Sequence, residues 1–359
     1  MGFNEIVKTE IAAINKALEE FLDTKIERAK KLYPIHVTYY ENLKEYLMRG
    51  GKRFRPMSIV IGCRAIGSDV DQKSLYRAAC SIEILHNASL IHDDLIDHDE
   101  ARRGGPTFHV RYRDWYNSEV TKDLEKASHF GMTCAILGGD SLINVGAMSI
   151  VEANLDPAIG MKCLSYYQKG FEEIIEGVFL EMHMVNDPNT TSEMYLDMIR
   201  LKTAALLEKS LLMGATIGRA SEKQLAALSE YGVKVGQAFQ IQDDILGSFG
   251  DEEKTGKAND GDIKEGKKTM LLIEALRLST PEQKAILDKY LGNSNLTPDE
   301  VDKVRAVFRD SGAVESAGKI MTKLLDDGQE ALDKADPPLN EEYKQFMLDL
   351  SNFLVKRDY

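Results

Sequence analysis

Basic stretches, paired cysteines and long apolar runs are what this sequence has least of, and each shortage removes a class of function. Lysine and arginine total 45 against 58 acids, a formal net charge of −13. A general nucleic-acid binder needs the opposite balance, because its affinity comes from cations that displace phosphate counterions. Only four cysteines occur, Cys63, Cys80, Cys134 and Cys163, and none forms a CxxC pair. Their apolar surroundings read as reduced, buried thiols in a cytoplasmic protein rather than a disulfide framework or a metal site. The amino terminus lacks the basic start and apolar core of a signal peptide. No window of about 18 apolar residues is evident, so no transmembrane segment is expected. Alternating strand patterns, internal repeats and a domain-separating Pro/Gly/Ser linker are missing too.

The helical period fills the chain instead. Ile6, Ile11, Ile14, Leu18, Phe21 and Leu22 line one face of an opening helix that Pro34 ends. A second helix is expected near 37–49, stopping at Gly50-Gly51, and Pro56 suits the first turn of a third. Further helices are expected near 73–99, 121–153, 159–184, 192–219, 222–247, 267–278, 281–291, 298–311, 313–334 and 339–356. The fold class is all-α, a single-domain helical bundle over residues 1–359. Asp251 to Lys268 is the main polar loop, of a kind that closes over charged ligands.

Two acidic pairs stand out. Leu90-Ile-His-Asp-Asp-Leu-Ile-Asp97 places Asp93 and Asp97 four apart, on one helical face. Phe239-Gln-Ile-Gln-Asp-Asp-Ile-Leu-Gly247 sets Asp243 in a mostly apolar stretch. Carboxylates among apolar neighbours are costly unless a cation offsets them. Oxygen-only ligands suit magnesium rather than zinc. Asp326-Asp327, followed by polar residues, is an internal control and reads as an ordinary helix end. Two metal-binding acid clusters imply a di- or trinuclear magnesium site, which binds diphosphate by bridging phosphate oxygens to carboxylates.

Cations accompany the acids in short groups. Gly50-Gly-Lys-Arg-Phe-Arg-Pro56 joins three positive charges to two glycines at a helix start, an anion-binding arrangement. Arg102-Arg103 follows the first acidic motif, Lys202-Thr203 lies on a helix, and Lys257, Lys267 and Lys268 lie on or beside the polar loop. A His-Asp phosphohydrolase would need further histidines at ligand spacing around His86, His92 and His98, and the rest show none. Asn117-Ser118-Glu119 is consecutive, so it cannot be a metal triad, whose members lie one helical turn apart.

Three blocks together resemble the trans-isoprenyl diphosphate synthases: Gly50 to Pro56, His86 to Thr107, and Gly236 to Thr269. Gly139-Asp140 and Leu201-Lys-Thr-Ala204 add weaker support. The resemblance implies that Asp93, Asp97 and Asp243 hold two or three magnesium ions. It implies that Gly51, Lys52, Arg55, His86 and Arg103 bind the isopentenyl diphosphate head. Arg102, Lys202, Thr203, Gln240, Lys257 and Lys267 match contacts to the allylic diphosphate. Asp93, Asp97, Arg102, Lys202, Asp243 and Lys257 would carry catalysis. One position departs: the second motif of the family ends in aspartate, and here Gly247 stands there, which leaves outer contacts by Asp244 or Asp262 open.

The implied reaction is ionisation of an allylic diphosphate, attack by the isopentenyl alkene and loss of a proton, with no nucleophilic Ser or Cys. Leu85, Ser89, Asp93 and Asp97 form a ladder on one helical face, so Ser89 lies about 6 Å and Leu85 about 12 Å below Asp93. Leu85, Ala88 and Ser89 are the candidate chain-length residues, with a tunnel floor expected around Asn144 to Met148. Small Ala88 and Ser89, where the family often carries an aromatic stop, favour a twenty-carbon geranylgeranyl product over a farnesyl one; a longer polyprenyl chain is the rival. A terpene cyclase needs no second basic pocket, and a non-catalytic partner subunit need not keep all three acids. The resemblance also implies a homodimer.

Overall fold

The computed structural model describes residues 2–250 and 259–355. Among them the secondary structure is helical apart from one two-stranded hairpin. Two compact units divide the chain. The first is Met1–Gln168 with Leu212–Arg219, and the second is Lys169–Leu211 with Ala220–Tyr359.

In the first unit, α1 (Phe3–Ala29) ends before Pro34 rather than at it, and Pro34 opens α2 (Pro34–Met48) at its first turn. There its fixed φ is preorganised and its missing N–H costs nothing. After α3 (Phe54–Ile66), Asp71 caps α4 (Gln72–Ile96) by accepting the Ser74 N–H. α4 is the unit's central helix. Ala78, Ala79, Ile82, Leu85 and Ala88 are fully buried on it, and it packs on α1, α3 and α6 (Leu124–Val151). Between α4 and α6 come β1 (Ala101–Arg102), β2 (Gly105–Pro106) and α5 (Phe108–Glu119). Neither hairpin nor α5 is expected from the sequence, because this stretch is too charged and aromatic to show one clean apolar stripe.

α6 corrects one reading. By length and composition it is apolar enough to cross a membrane, with 44% of the qualifying window buried. One face, with Gly131, Ala135, Gly138, Gly139 and Leu142, is buried, while Met132, Ile136, Leu137, Met148 and Val151 are exposed.

The expected helix 192–219, which belongs to the second unit as far as Leu211, is interrupted. α8 (Ser192–Ile199) passes into a π-helical turn (Arg200–Ala204) before α9 (Ala205–Ile217). α7 (Pro157–Asn186) contributes its later turns to this unit. α10 (Glu222–Phe249) is the central helix here, opened by a Ser221/Gln224 capping box. It buries Leu228, Tyr231, Val235, Ala238, Ile241 and Ile245 and packs on the helix Ala313–Ala331.

Candidate active site

Five backbone positions shape the basic group of the first unit. Gly50, Gly51 and Arg53 all take positive φ, at 100°, 126° and 50°. Only glycine adopts such angles freely, so the two glycines let the chain turn sharply after α2. The hairpin turn Arg103-Gly104 is positive at both residues, at 50° and 74°, where Asn-Gly would be the easy choice. An arginine held in that strained region is a reason to look for a function. Its Nη1 donates to the Gly50 carbonyl at 2.9 Å, and a Cβ on Gly51 would sit 3.4 Å from its guanidinium.

Of the three cations after Gly51, Arg53 turns inward. It is 3% exposed, pairs with Glu83, and donates to Asn15 Oδ1 at 2.9 Å and to the Leu47 carbonyl at 2.8 Å. Counting it into the anion site is therefore a mistake; it braces the loop. Lys52 is exposed and Arg55 half-buried. Arg55 Nη1 lies 3.3 Å from His86 Nε2. Arginine only donates, so His86 Nε2 accepts and the ring proton sits on Nδ1. Burial, then the charges of Arg55 and Arg103, hold the His86 imidazolium pKa well below its ordinary value. His86 is thus a neutral group among arginines.

Asp93 is half-buried and Asp97, the C-cap of α4, is exposed. The carboxyl end of a helix already carries partial negative charge, so acids there are disfavoured until a cation arrives. Asp94 is fully buried. It accepts from Tyr46 Oη at 2.7 Å and pairs with Arg102 Nε. Burial lifts its carboxyl above the ordinary range, against the pull of Tyr46 and Arg102.

Leu85 and Ala88 are fully buried on α4, and the Ser89 hydroxyl is satisfied by the His86 carbonyl at 2.9 Å. The expected floor at Asn144 to Met148 is only partly inward. Val145 and Gly146 are buried, but Asn144 and Met148 are exposed and line an outer groove of about 280 Å³ with Lys25, Arg28 and Tyr40.

In the second unit, Lys202 and Thr203 sit on the π-turn, closed by the Ala205 N–H to the Arg200 carbonyl. Its neighbours approach so closely that a Cβ at Gly177 would lie 2.4 Å from Lys202 N, and one at Gly236 2.5 Å from Ala204 Cα. Lys202 Nζ pairs with Glu181. Thr203 Oγ1 donates to Gln240 Oε1 at 2.8 Å, and Gln240 Nε2 donates to Asp244 Oδ1 at 2.9 Å. Tyr195 Oη donates to Asp244 Oδ2 at 2.5 Å. Burial and the nearby Asp262 charge push the Asp244 carboxyl up to about 7. Asp243, at the preceding position, is half-buried. Lys267 pairs with Glu265 at 2.9 Å and lies 3.8 Å from Asp262; burial opposes its charge, but these acids raise its pKa above the ordinary value. Lys257 lies outside the described residues.

The chain matches the sequence profile of the family described as Polyprenyl synthetase over residues 36–308. The chain belongs to that family. It is 36% identical over 298 residues to a short chain isoprenyl diphosphate synthase of Methanocaldococcus jannaschii, covering 83% of this chain and 82% of that one. It is 33% identical over 357 residues to a geranylgeranyl diphosphate synthase of Saccharolobus solfataricus, covering 99% and 97%. A geranylgeranyl pyrophosphate synthase of Corynebacterium glutamicum, solved with isoprenyl diphosphate and magnesium, superposes with a TM-score of 0.90 at 27% identity, with both chains fully covered. This family member is a prenyltransferase with the all-α isoprenoid synthase fold.

The carboxylates fit magnesium on the chemistry of their donor set. Among the described residues no three His, Cys, Asp or Glu side chains converge on a metal site. Magnesium suits such sparse sites, because one or two carboxylates, waters and substrate phosphates complete its shell. Sequence reasoning passed over Tyr46, Asp94, Glu181 and Tyr195. A tyrosine within a helical period reads as core, and nothing local shows that its hydroxyl meets a carboxylate 48 or 49 positions away.

Proposed function

We propose that this polyprenyl synthetase acts as a single catalytic domain and condenses isopentenyl diphosphate with an allylic diphosphate, using magnesium, to geranylgeranyl diphosphate. The carrying observation is that each unit holds an acidic pair together with its own cationic group. Arg55, His86 and Arg103 are drawn together in one, and Lys202, Thr203, Gln240 and Lys267 accompany Asp243 in the other. Two diphosphates need two such groups, whereas a cyclase needs one. All three acids, Asp93, Asp97 and Asp243, are present, which favours an enzyme over a non-catalytic subunit.

Lys52, Arg55, Arg103 and the Gly51 amide hold the isopentenyl head, with neutral His86 as a hydrogen-bonding partner. Arg102, Lys202, Thr203, Gln240, Lys257 and Lys267 hold the allylic diphosphate. Asp93, Asp97 and Asp243 would hold magnesium, which would supply Lewis-acid stabilisation of the leaving group. The allylic C–O bond breaks, the isopentenyl alkene attacks the cation, and the departing diphosphate takes the proton. The π-turn supports this reading, since such turns displace carbonyls from the α-helical pattern at functional sites. Small Ala88 and Ser89 leave room for twenty carbons. The exposed apolar residues of α6 support a homodimer, and four free cysteines suit a cytoplasmic location.

Diphosphate release tests the reaction class. With magnesium, release is expected only when both an allylic diphosphate and isopentenyl diphosphate are present, and Asp93→Ala or Asp243→Ala lowers it by about 100-fold or more. Release from the allylic substrate alone points to a cyclase.

A further inference from the structure

In both acidic pairs the two carboxylates part ways. The first of each pair, Asp93 or Asp243, is half-buried, and the second, Asp94 or Asp244, is buried against a buried tyrosine. Tyr46 Oη donates to Asp94 at 2.7 Å in one unit, and Tyr195 Oη donates to Asp244 at 2.5 Å in the other. The remaining oxygen of each buried carboxylate binds a side chain of the diphosphate group: Arg102 Nε on Asp94, and Gln240 Nε2 on Asp244 at 2.9 Å.

We propose that Tyr46 and Tyr195 are positioning residues, each fixing through the second carboxylate the side chain that meets the allylic diphosphate. The inference rests on the synthase reading above. In the second unit the chain of bonds has a direction. Tyr195 donates to Asp244 Oδ2, and Oδ1 accepts from Gln240. That fixes the amide with Nε2 toward Asp244 and Oε1 toward Thr203. One Nε2 hydrogen is used on Asp244, and the proposal gives the other to a phosphate oxygen. In the first unit the same logic sets the guanidinium of Arg102, whose Nε is held by Asp94 and whose Nη2 lies 3.4 Å from Asp99. A tyrosine hydroxyl is suited to this task because it is anchored by a rigid, buried ring and brings no charge of its own to an acidic centre.

The test is steady-state kinetics of the full-length enzyme, with the Michaelis constants for the allylic and isopentenyl substrates measured separately. Tyr195→Phe and Tyr46→Phe are each expected to raise the allylic constant about tenfold, the worth of one hydrogen bond to a charged group, with the isopentenyl constant unchanged. Asp244→Asn serves as the second variant, since it keeps the volume but can reverse the Gln240 amide, and it should shift the same constant. A folded Tyr195→Phe or Asp244→Asn protein with both constants unchanged, or with both raised equally, overturns the assignment of Tyr195, and the same result for a folded Tyr46→Phe protein overturns that of Tyr46. A wild-type enzyme that condenses no primer fails at the synthase reading instead, which separates the two.

Discussion

Gly247 stands where the resemblance set out above calls for an aspartate to close the second acidic motif. A Cβ there would lie 3.0 Å from Asp262 Oδ2. Asp262, on the short helix Gly261–Glu265, thus brings a carboxylate to the space an aspartate at 247 would fill. Asp262→Ala is expected to lower turnover about 100-fold and to raise the magnesium concentration for half-maximal rate. Adding Gly247→Asp should recover part of both. No recovery would assign Asp262 to holding Lys267. His86 gives a second prediction at this scale. Its folded pKa is depressed, so its contribution to stability is complete above the unfolded value of 6.5 and is lost as pH falls below it toward the folded pKa. The melting temperature should fall as pH drops from about 7 to 5, and less steeply in His86→Gln. Equal slopes would contradict a neutral, buried imidazole. At this scale the ligand-type residues were legible because charge clusters are local. Which cation turns inward was not, since Arg53 is chosen by Glu83 and Asn15, 30 and 38 positions away.

Whole helices were read well wherever one apolar stripe persisted. α4 and α10 match their expected spans within a few residues, and both carry their acids where the sequence put them. The π-turn was not legible, because one extra residue per turn over five residues barely disturbs an apolar period. α5 escaped because it buries only Phe108, Val110 and Tyr112 among many charges. The α4 ladder makes the prediction of this scale. Ser89 lies one turn below Asp93, with fully buried Leu85 a turn further. Ser89→Phe should shorten the product by at least one five-carbon unit, read by chromatography of the dephosphorylated alcohols. An unchanged distribution would remove Ser89 from the tunnel wall.

At the scale of the whole molecule, acidity and substrate charge pull in opposite directions. On the proposed reading, a chain with net charge −13 handles two polyanions through cations concentrated in small groups. Binding should therefore weaken with salt less than for a protein that relies on its overall field, since close, partly buried contacts are poorly screened. The exposed apolar face of α6 bears on assembly, and light scattering at working concentration should give twice the 40.2 kDa chain mass. The central claim is the condensation itself. Purified protein with magnesium, radiolabelled isopentenyl diphosphate and each allylic primer in turn is expected to yield geranylgeranyl diphosphate as the single main product. A folded protein that incorporates no label with any primer would contradict the account.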